Sequence, residues 1–149
     1  MLGRARALRE SIYELFSTIA AGERPPDAAL ETFNAFVPAA LSRLRIARDG
    51  KGCSWRPLPG EDLEEVLHPV VRAGADLLTS PDAARVRECR SDTCAWLFLD
   101  RSKNGTRCWC DMKVCGNRAK ARRHYDRGKR TARRGSPRRK TRAAGKEGS

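Results

Sequence analysis

The chain has 149 residues, with 31 Lys or Arg against 18 Asp or Glu and a formal net charge of +13. It contains no apolar run of about 18 residues, so no stretch is suited to spanning a bilayer as a helix. Arg4, Arg6 and Arg9 interrupt any apolar leader near the N-terminus, and the expected compartment is a reducing cytoplasm in which disulfides rarely persist.

The first predicted element is a helix from about Arg4 to Ala21, since Leu8, Ile12, Leu15, Phe16 and Ile19 recur at helical spacing. Gly22 and the pair Pro25-Pro26 break it. Asp27 is placed to cap a second helix carrying Leu30, Phe33, Phe36 and Val37, with Pro38 near its end. The segment from Arg43 to Ala47 alternates polar and apolar residues, Asp49-Gly50 is a hairpin signal, and Gly52 to Arg56 is the returning strand. Cys53 reads as a small apolar residue in that strand. Pro57, Pro59 and Gly60 form a loop. Leu63, Val66, Leu67, Val70, Ala73, Leu77 and Leu78 then draw a third helical stripe, kinked or delayed by Pro69. His68 on this stretch reads as structural. Ser80-Pro81 opens a short helix leading into Cys89. The stripes read as core first; a ligand pocket between them is the sharper alternative.

Four of the six cysteines form two equal pairs, Cys89-x4-Cys94 and Cys110-x4-Cys115. Two short-spaced pairs can converge on one ion, and zinc in structural sites takes a closed tetrahedral set of four thiolates. Cys108, two residues before Cys110, could in principle replace it. Cys110 is the preferred ligand because its spacing to Cys115 equals that of the first pair, which leaves Cys108 as a nearby oxidisable thiol. Four thiolates around zinc leave no position for a reactive water, and no nucleophile elbow, phosphate loop or paired-acid spacing occurs. No enzymatic activity is expected.

The excess charge is confined to the C-terminal end. Residues 118–149 hold 14 of the 31 basic residues and two of the 18 acids, a net of +12, which leaves +1 for residues 1–117. Such a field attracts polyanions and releases counterions from each phosphate it neutralises. Asn117 to Arg127 lacks Pro and Gly and reads as a helix, with Arg118, Arg122 and Tyr125 on one face. Gly128 marks its expected end. Residues 128–149 carry no aliphatic side chain larger than alanine and are expected to be disordered on their own.

These residues carry a resemblance. Cys115-Gly116-Asn117-Arg118, with Trp96-Leu97-Phe98-Leu99-Asp100 and Trp109-Cys110-Asp111-Met112 before it, resembles the CGNR-type zinc finger from Cys89 to about Arg127. The upstream region, from about Ala7 to Ser80, resembles the C-terminal part of the ABATE domain. The resemblance implies a zinc site of Cys89, Cys94, Cys110 and Cys115, and a bacterial, stress-responsive transcription regulator. Family members commonly carry a basic residue where this chain has Cys108. They also begin with a further strand and helix, so the chain reads as N-terminally truncated, which would leave a sheet edge exposed.

The expected fold class is mainly α with a small β-hairpin (α+β). Residues 1–80 form a helical domain, 81–127 a four-cysteine zinc finger with a basic helix, and 128–149 a basic tail. In the finger, Trp96 to Leu99 is a strand-like run, Asn104-Gly105 turns the chain, Trp109 packs near the metal, and Gly116 and Asn117 open and cap the outgoing helix. Arg118, Lys120, Arg122, Arg123 and Arg127 are the expected nucleic-acid contacts. The expected partner is double-stranded DNA, in the cytoplasm at the nucleoid, with a small-molecule or protein partner for the helical domain. The alternatives are an RNA-associated module and a protein-interaction adapter with a purely structural finger. Tyr125 is the one aromatic residue of the basic segment, so stacking on single strands is less favoured.

Overall fold

The computed structural model describes residues 1–60 and 62–134, with backbone only from 130 to 134. It is mainly helical, with two small antiparallel sheets, and divides into two compact units, Met1–Cys110 and Asp111–Ser149. Among the described residues no helix is long and apolar enough to cross a membrane.

In the first unit, α1 spans Leu2–Ala21 and ends as its sequence predicts, on Gly22 at φ 81° and ψ 17°. That left-handed conformation suits a residue without a Cβ. Helix α2 (Asp27–Asn34) begins at Asp27 itself. Pro26 occupies the cap position, and Asp27 pairs with Arg24 at 3.1 Å rather than capping the helix. Pro38 does not end this helix; it lies in the first turn of a separate helix α3 (Val37–Ser42), where its missing N–H would have had no partner anyway.

Strands β1 (Leu44–Asp49) and β2 (Gly52–Pro57) form the expected hairpin, with Asp49 opposite Gly52 and Gly50 at φ 58°. Cys53 lies in β2, as expected, and is exposed. The third helical stripe divides. Leu63–Leu67 is a 3-10 turn capped by Asp62, and helix α4 (His68–Leu78) follows, with Pro69 in its first turn. The tighter turn shifts the phase of the buried face. Val71 and Gly74 face inward, while Leu63, Val66 and Val70 are exposed.

The core joins Leu8 and Leu15 of α1, Ala29 and Phe33 of α2, Phe36, Ala40 of α3 and Val71 of α4. Each large apolar side chain fully removed from water contributes about 1.5–3 kcal/mol. Ser11, buried among them, satisfies its hydroxyl by donating to the Leu8 carbonyl at 2.9 Å.

Ser80-Pro81 opens a 3-10 turn (Pro81–Arg85), and the chain then runs into a strand, β3 (Val86–Glu88), rather than staying helical up to Cys89. Strand β4 (Leu97–Leu99) pairs with it, Val86 opposite Leu99. Helix α1 packs on the 3-10 turn and on both strands, and this compact unit runs on to Cys110.

The second unit begins with one wide helical turn (Met112–Gly116) that continues into helix α5 (Asn117–Arg134). The helix passes through Gly128, so the expected stop there does not occur. A single exposed glycine costs about 1 kcal/mol in a helix, too little to break one that has good helix formers on both sides. The expected disorder of the last residues concerns, from 135 on, positions outside the described residues.

Candidate metal centre and basic helix

The first cysteine pair sits on a reversal between β3 and β4. The Cys89 N–H donates to the Trp96 carbonyl at 3.0 Å, and the Cys94 N–H donates to the Ser91 carbonyl at 2.9 Å. The tight turn at Ser91–Cys94 and the pairing beyond it place the two sulfurs on one side of the loop. Arg90 N–H donates to the Cys108 carbonyl at 3.0 Å, which lays the 108–110 segment alongside.

Within the second unit, Asp111 has extended backbone (φ −143°, ψ 125°), and its carboxylate accepts from the Val114 N–H at 2.9 Å. Its carbonyl accepts from the N–H groups of Cys115, at 2.9 Å, and Gly116, at 3.2 Å. Asp111 therefore caps the turn that carries Cys115. The expected cap, Asn117, is itself helical at φ −68° and ψ −39°. An aspartate also offers negative charge at the helix N-terminus, where the peptide dipoles favour it.

The sulfurs of Cys89, Cys94, Cys110 and Cys115 all lie within 4.8 Å of one another. Those of Cys94 and Cys110 are 3.7 Å apart. A tetrahedral ion with metal–sulfur bonds of about 2.3 Å holds its ligands about 3.8 Å apart, so this set fits one ion. Cys89 and Cys115 are buried, and Cys94 and Cys110 are half-buried. The six cysteines, all among the described residues, form no disulfide. Cys108 is not one of the four; its thiol donates to the Thr106 carbonyl at 3.3 Å.

A support for the site lies between the two cysteine pairs, before the turn at Asn104-Gly105. Asp100 is 0% exposed. Its Oδ1 accepts the Ser102 N–H at 2.9 Å, and its Oδ2 accepts the Arg107 N–H at 3.0 Å. The turn between them closes on Gly105 at φ 61°. Arg107 in turn donates from Nε to the Trp109 carbonyl at 2.8 Å and from its other nitrogen to the Cys110 carbonyl, and its guanidinium carbon lies 4.8 Å from the Phe98 ring centroid. Asp100 thereby fixes the segment that delivers Cys110. The nearby Ser102 hydroxyl and the Ser102 N–H hold its carboxyl below the ordinary value of 3.8, with smaller help from the Arg107 N–H and the Arg85 charge, against the opposing effect of burial. The signal that could have revealed it is Asp100-Arg101-Ser102, an aspartate two residues before the N–H it binds.

The predicted nucleic-acid contacts Arg118, Lys120, Arg122, Arg123 and Arg127 all lie on α5 and are all exposed. Arg123 and Arg127 direct Nε toward the Ala119 and Arg123 carbonyls of their own helix, each at 3.4 Å. Lys129 Nζ lies 4.7 Å from the Tyr125 ring centroid.

Sequence-family models agree with this arrangement. The model for ABATE, described as "Putative stress-induced transcription regulator", matches residues 1–81, more than half of the chain. The model for the CGNR zinc finger matches residues 85–128 and includes all four clustered cysteines. No curated protein matches the chain.

Proposed function

The chain belongs to the ABATE family and carries a CGNR zinc finger, and from that premise we propose that it is a zinc-dependent transcription regulator that binds double-stranded DNA in the bacterial cytoplasm. The metal is Zn2+, held by Cys89, Cys94, Cys110 and Cys115. Four thiolates with sulfur spacings suited to a tetrahedron match its preference, and a closed set gives the ion a structural role rather than a catalytic one. The protein is accordingly not an enzyme in this reading.

The observation that carries DNA binding is the exposed basic helix that follows directly on the capped cysteine turn. Metal binding fixes Cys115, the turn continues without a break into Asn117, and the basic side chains follow on the next three turns. Arg118, Lys120, Arg122, Arg123 and Arg127 contact phosphates in this reading, and those nearest the groove reach base edges. Duplex DNA is favoured over a single strand because Tyr125 is the one aromatic ring of the basic segment.

The test is selection on random duplex DNA with zinc-loaded protein, comparing the full chain with one ending at Arg134. An enriched motif retained by the shorter chain supports a sequence-reading regulator. Binding that is lost with residues 135–149 and shows no motif would instead favour an RNA-associated or adapter role.

A further inference from the structure

The β1–β2 hairpin is a sheet of two strands, and neither strand pairs with a third. Of its strand residues only Leu44, Ala47 and Ser54 are even half-buried. An isolated hairpin is marginally stable in water, and further strands or a packed apolar face normally support it. Ile46 and Trp55 stand directly across from each other and are 65% and 51% exposed. The two-residue turn Gly50-Lys51 sets which backbone groups are free. Asp49 and Gly52 form the first hydrogen-bonded pair, so Arg45, Ala47 and Asp49 bond across to β2, and the N–H and C=O groups of Ile46 and Arg48 point outward. Among the described residues, these outward groups bond to no other segment. They are a template for another antiparallel strand.

The side chains of β1 decide which strand fits. Arg45, Ala47 and Asp49 share one face of the hairpin. Within the hairpin Arg45 stands opposite Arg56, a like-charge pairing, while Arg56 reaches Asp49 at 3.5 Å. Among the described residues Arg45 has no acidic partner. A second copy of β1, antiparallel with a two-fold axis at Ala47, supplies one. Arg45 of each copy then lies opposite Asp49 of the other, which places each acid between two arginines. Ile46 lies opposite Arg48, so their outward N–H and C=O groups bond reciprocally, and the Arg48 stem covers the exposed Ile46. Other registers that keep the outward groups paired lose this match. With the axis at Arg45 two arginines oppose each other, at Ile46 the Asp49 position runs past the strand end, and at Arg48 Arg45 meets Lys51. Like charges directly opposite destabilise a ladder, and opposite charges stabilise it. Strand β2 offers no equivalent: Arg56 is its one charged residue, and Pro57 has no N–H to give.

We propose that the chain self-associates through this edge, two copies of β1 joining their hairpins into a four-stranded antiparallel sheet. The interface is isologous, with Arg45 and Asp49 exchanged across the two-fold. This surface goes beyond the DNA-binding reading and does not depend on it.

The test is sedimentation equilibrium of the full, zinc-loaded chain in reducing buffer, which keeps the exposed Cys53 from cross-linking copies. A reversible dimer is expected. Arg45→Asp and Asp49→Arg each set like charges opposite one another across the two-fold, and each is expected to weaken association by about tenfold or more. Within one hairpin Arg45→Asp gains an opposite charge across from Arg56, so its loss of dimer does not come from loss of the hairpin. Mixed together, the two variants regain opposite charges at both positions and are expected to form a one-to-one dimer at wild-type strength. Should Asp49→Arg not fold, the loss in Arg45→Asp decides. A chain that stays monomeric at millimolar concentration overturns the proposal and leaves the edge to a strand of a different protein. A dimer that survives the charge reversals unchanged, or one that does not re-form on mixing the folded variants, also overturns it.

Discussion

The sulfurs of Cys94 and Cys110 stand 3.7 Å apart although sixteen residues separate them. Cys108, two residues from Cys110, turns its thiol toward the Thr106 carbonyl instead. Alternation along an extended segment explains the difference only in part, because Arg107 also ties down the Trp109 and Cys110 carbonyls. The first prediction follows. Cys110→Ser loses stoichiometric zinc, and Cys108→Ser retains one zinc per chain, as measured by metal analysis after dialysis. One zinc retained by Cys110→Ser would move the fourth ligand elsewhere.

Asp100 gives the second prediction. Asp100→Asn keeps the shape but replaces one of the two oxygens that accept the Ser102 and Arg107 N–H groups with an NH2 donor, and it should lower Tm more than Asp126→Asn on the exposed surface of α5. The folded carboxyl titrates below its ordinary value of 3.8. Its stabilising contribution is therefore complete above that value and is lost as pH falls through the folded value. Carbon NMR titration of the Asp100 carboxyl checks the sign: a midpoint at or above 3.8 would contradict it.

Two glycines test helix chemistry in opposite directions. A Cβ on Gly74 would lie 3.2 Å from Phe33 Cε2 and Cζ, and Phe33 is fully buried, so it has little room to yield. Overpacking of this kind costs about 1–3 kcal/mol, against a gain of about 1 kcal/mol in helix propensity. Gly74→Ala should come out destabilising by about 1 kcal/mol in denaturant unfolding. A Cβ on Gly128 meets nothing within 4 Å, and Gly128→Ala should raise the helicity of α5, with a propensity gain of about 1 kcal/mol. A stabilised Gly74→Ala would show that Phe33 repacks freely.

The fourth prediction concerns the basic helix. Replacing Arg118, Lys120, Arg122 and Arg123 together with alanine should weaken duplex binding and flatten the salt dependence. Each phosphate contact contributes about 0.9 to the slope of log K against log salt, so the slope should fall by up to about 3.6. Fluorescence anisotropy at several salt concentrations measures it. An unchanged slope would assign the contacts to other residues.

Removing the metal gives a fifth expectation. A chelator should abolish duplex binding and lower α5 helicity, while leaving the α1–α4 core folded. That core is built from Leu8, Leu15, Phe33 and Val71, none of which is near a cysteine in sequence. Near-ultraviolet and far-ultraviolet circular dichroism separate the two effects. Loss of the whole signal on chelation would show that the core depends on the ion.

The sequence by itself determined the features set by local chemistry. Equal Cys-x4-Cys spacings, Gly22 after an apolar stripe, Asp49-Gly50 between alternating runs and the sudden density of Arg after Cys115 each need only a few neighbouring residues, and the four-thiol cluster, the hairpin and the basic helix all follow from them. Tertiary structure alone decided which face of α4 is buried, because a 3-10 turn at Leu63–Leu67 reset the helical phase and put Val71 rather than Val70 inside. It also decided that Asp100 is buried and that Val86–Glu88 is a strand. The strand depends on Leu97–Leu99, which lies across a reversal of the chain, and on α1 packed over it, and that approach leaves no periodic mark on the segment itself. Short-range spacing is written in the chain, whereas burial is a property of what folds against it.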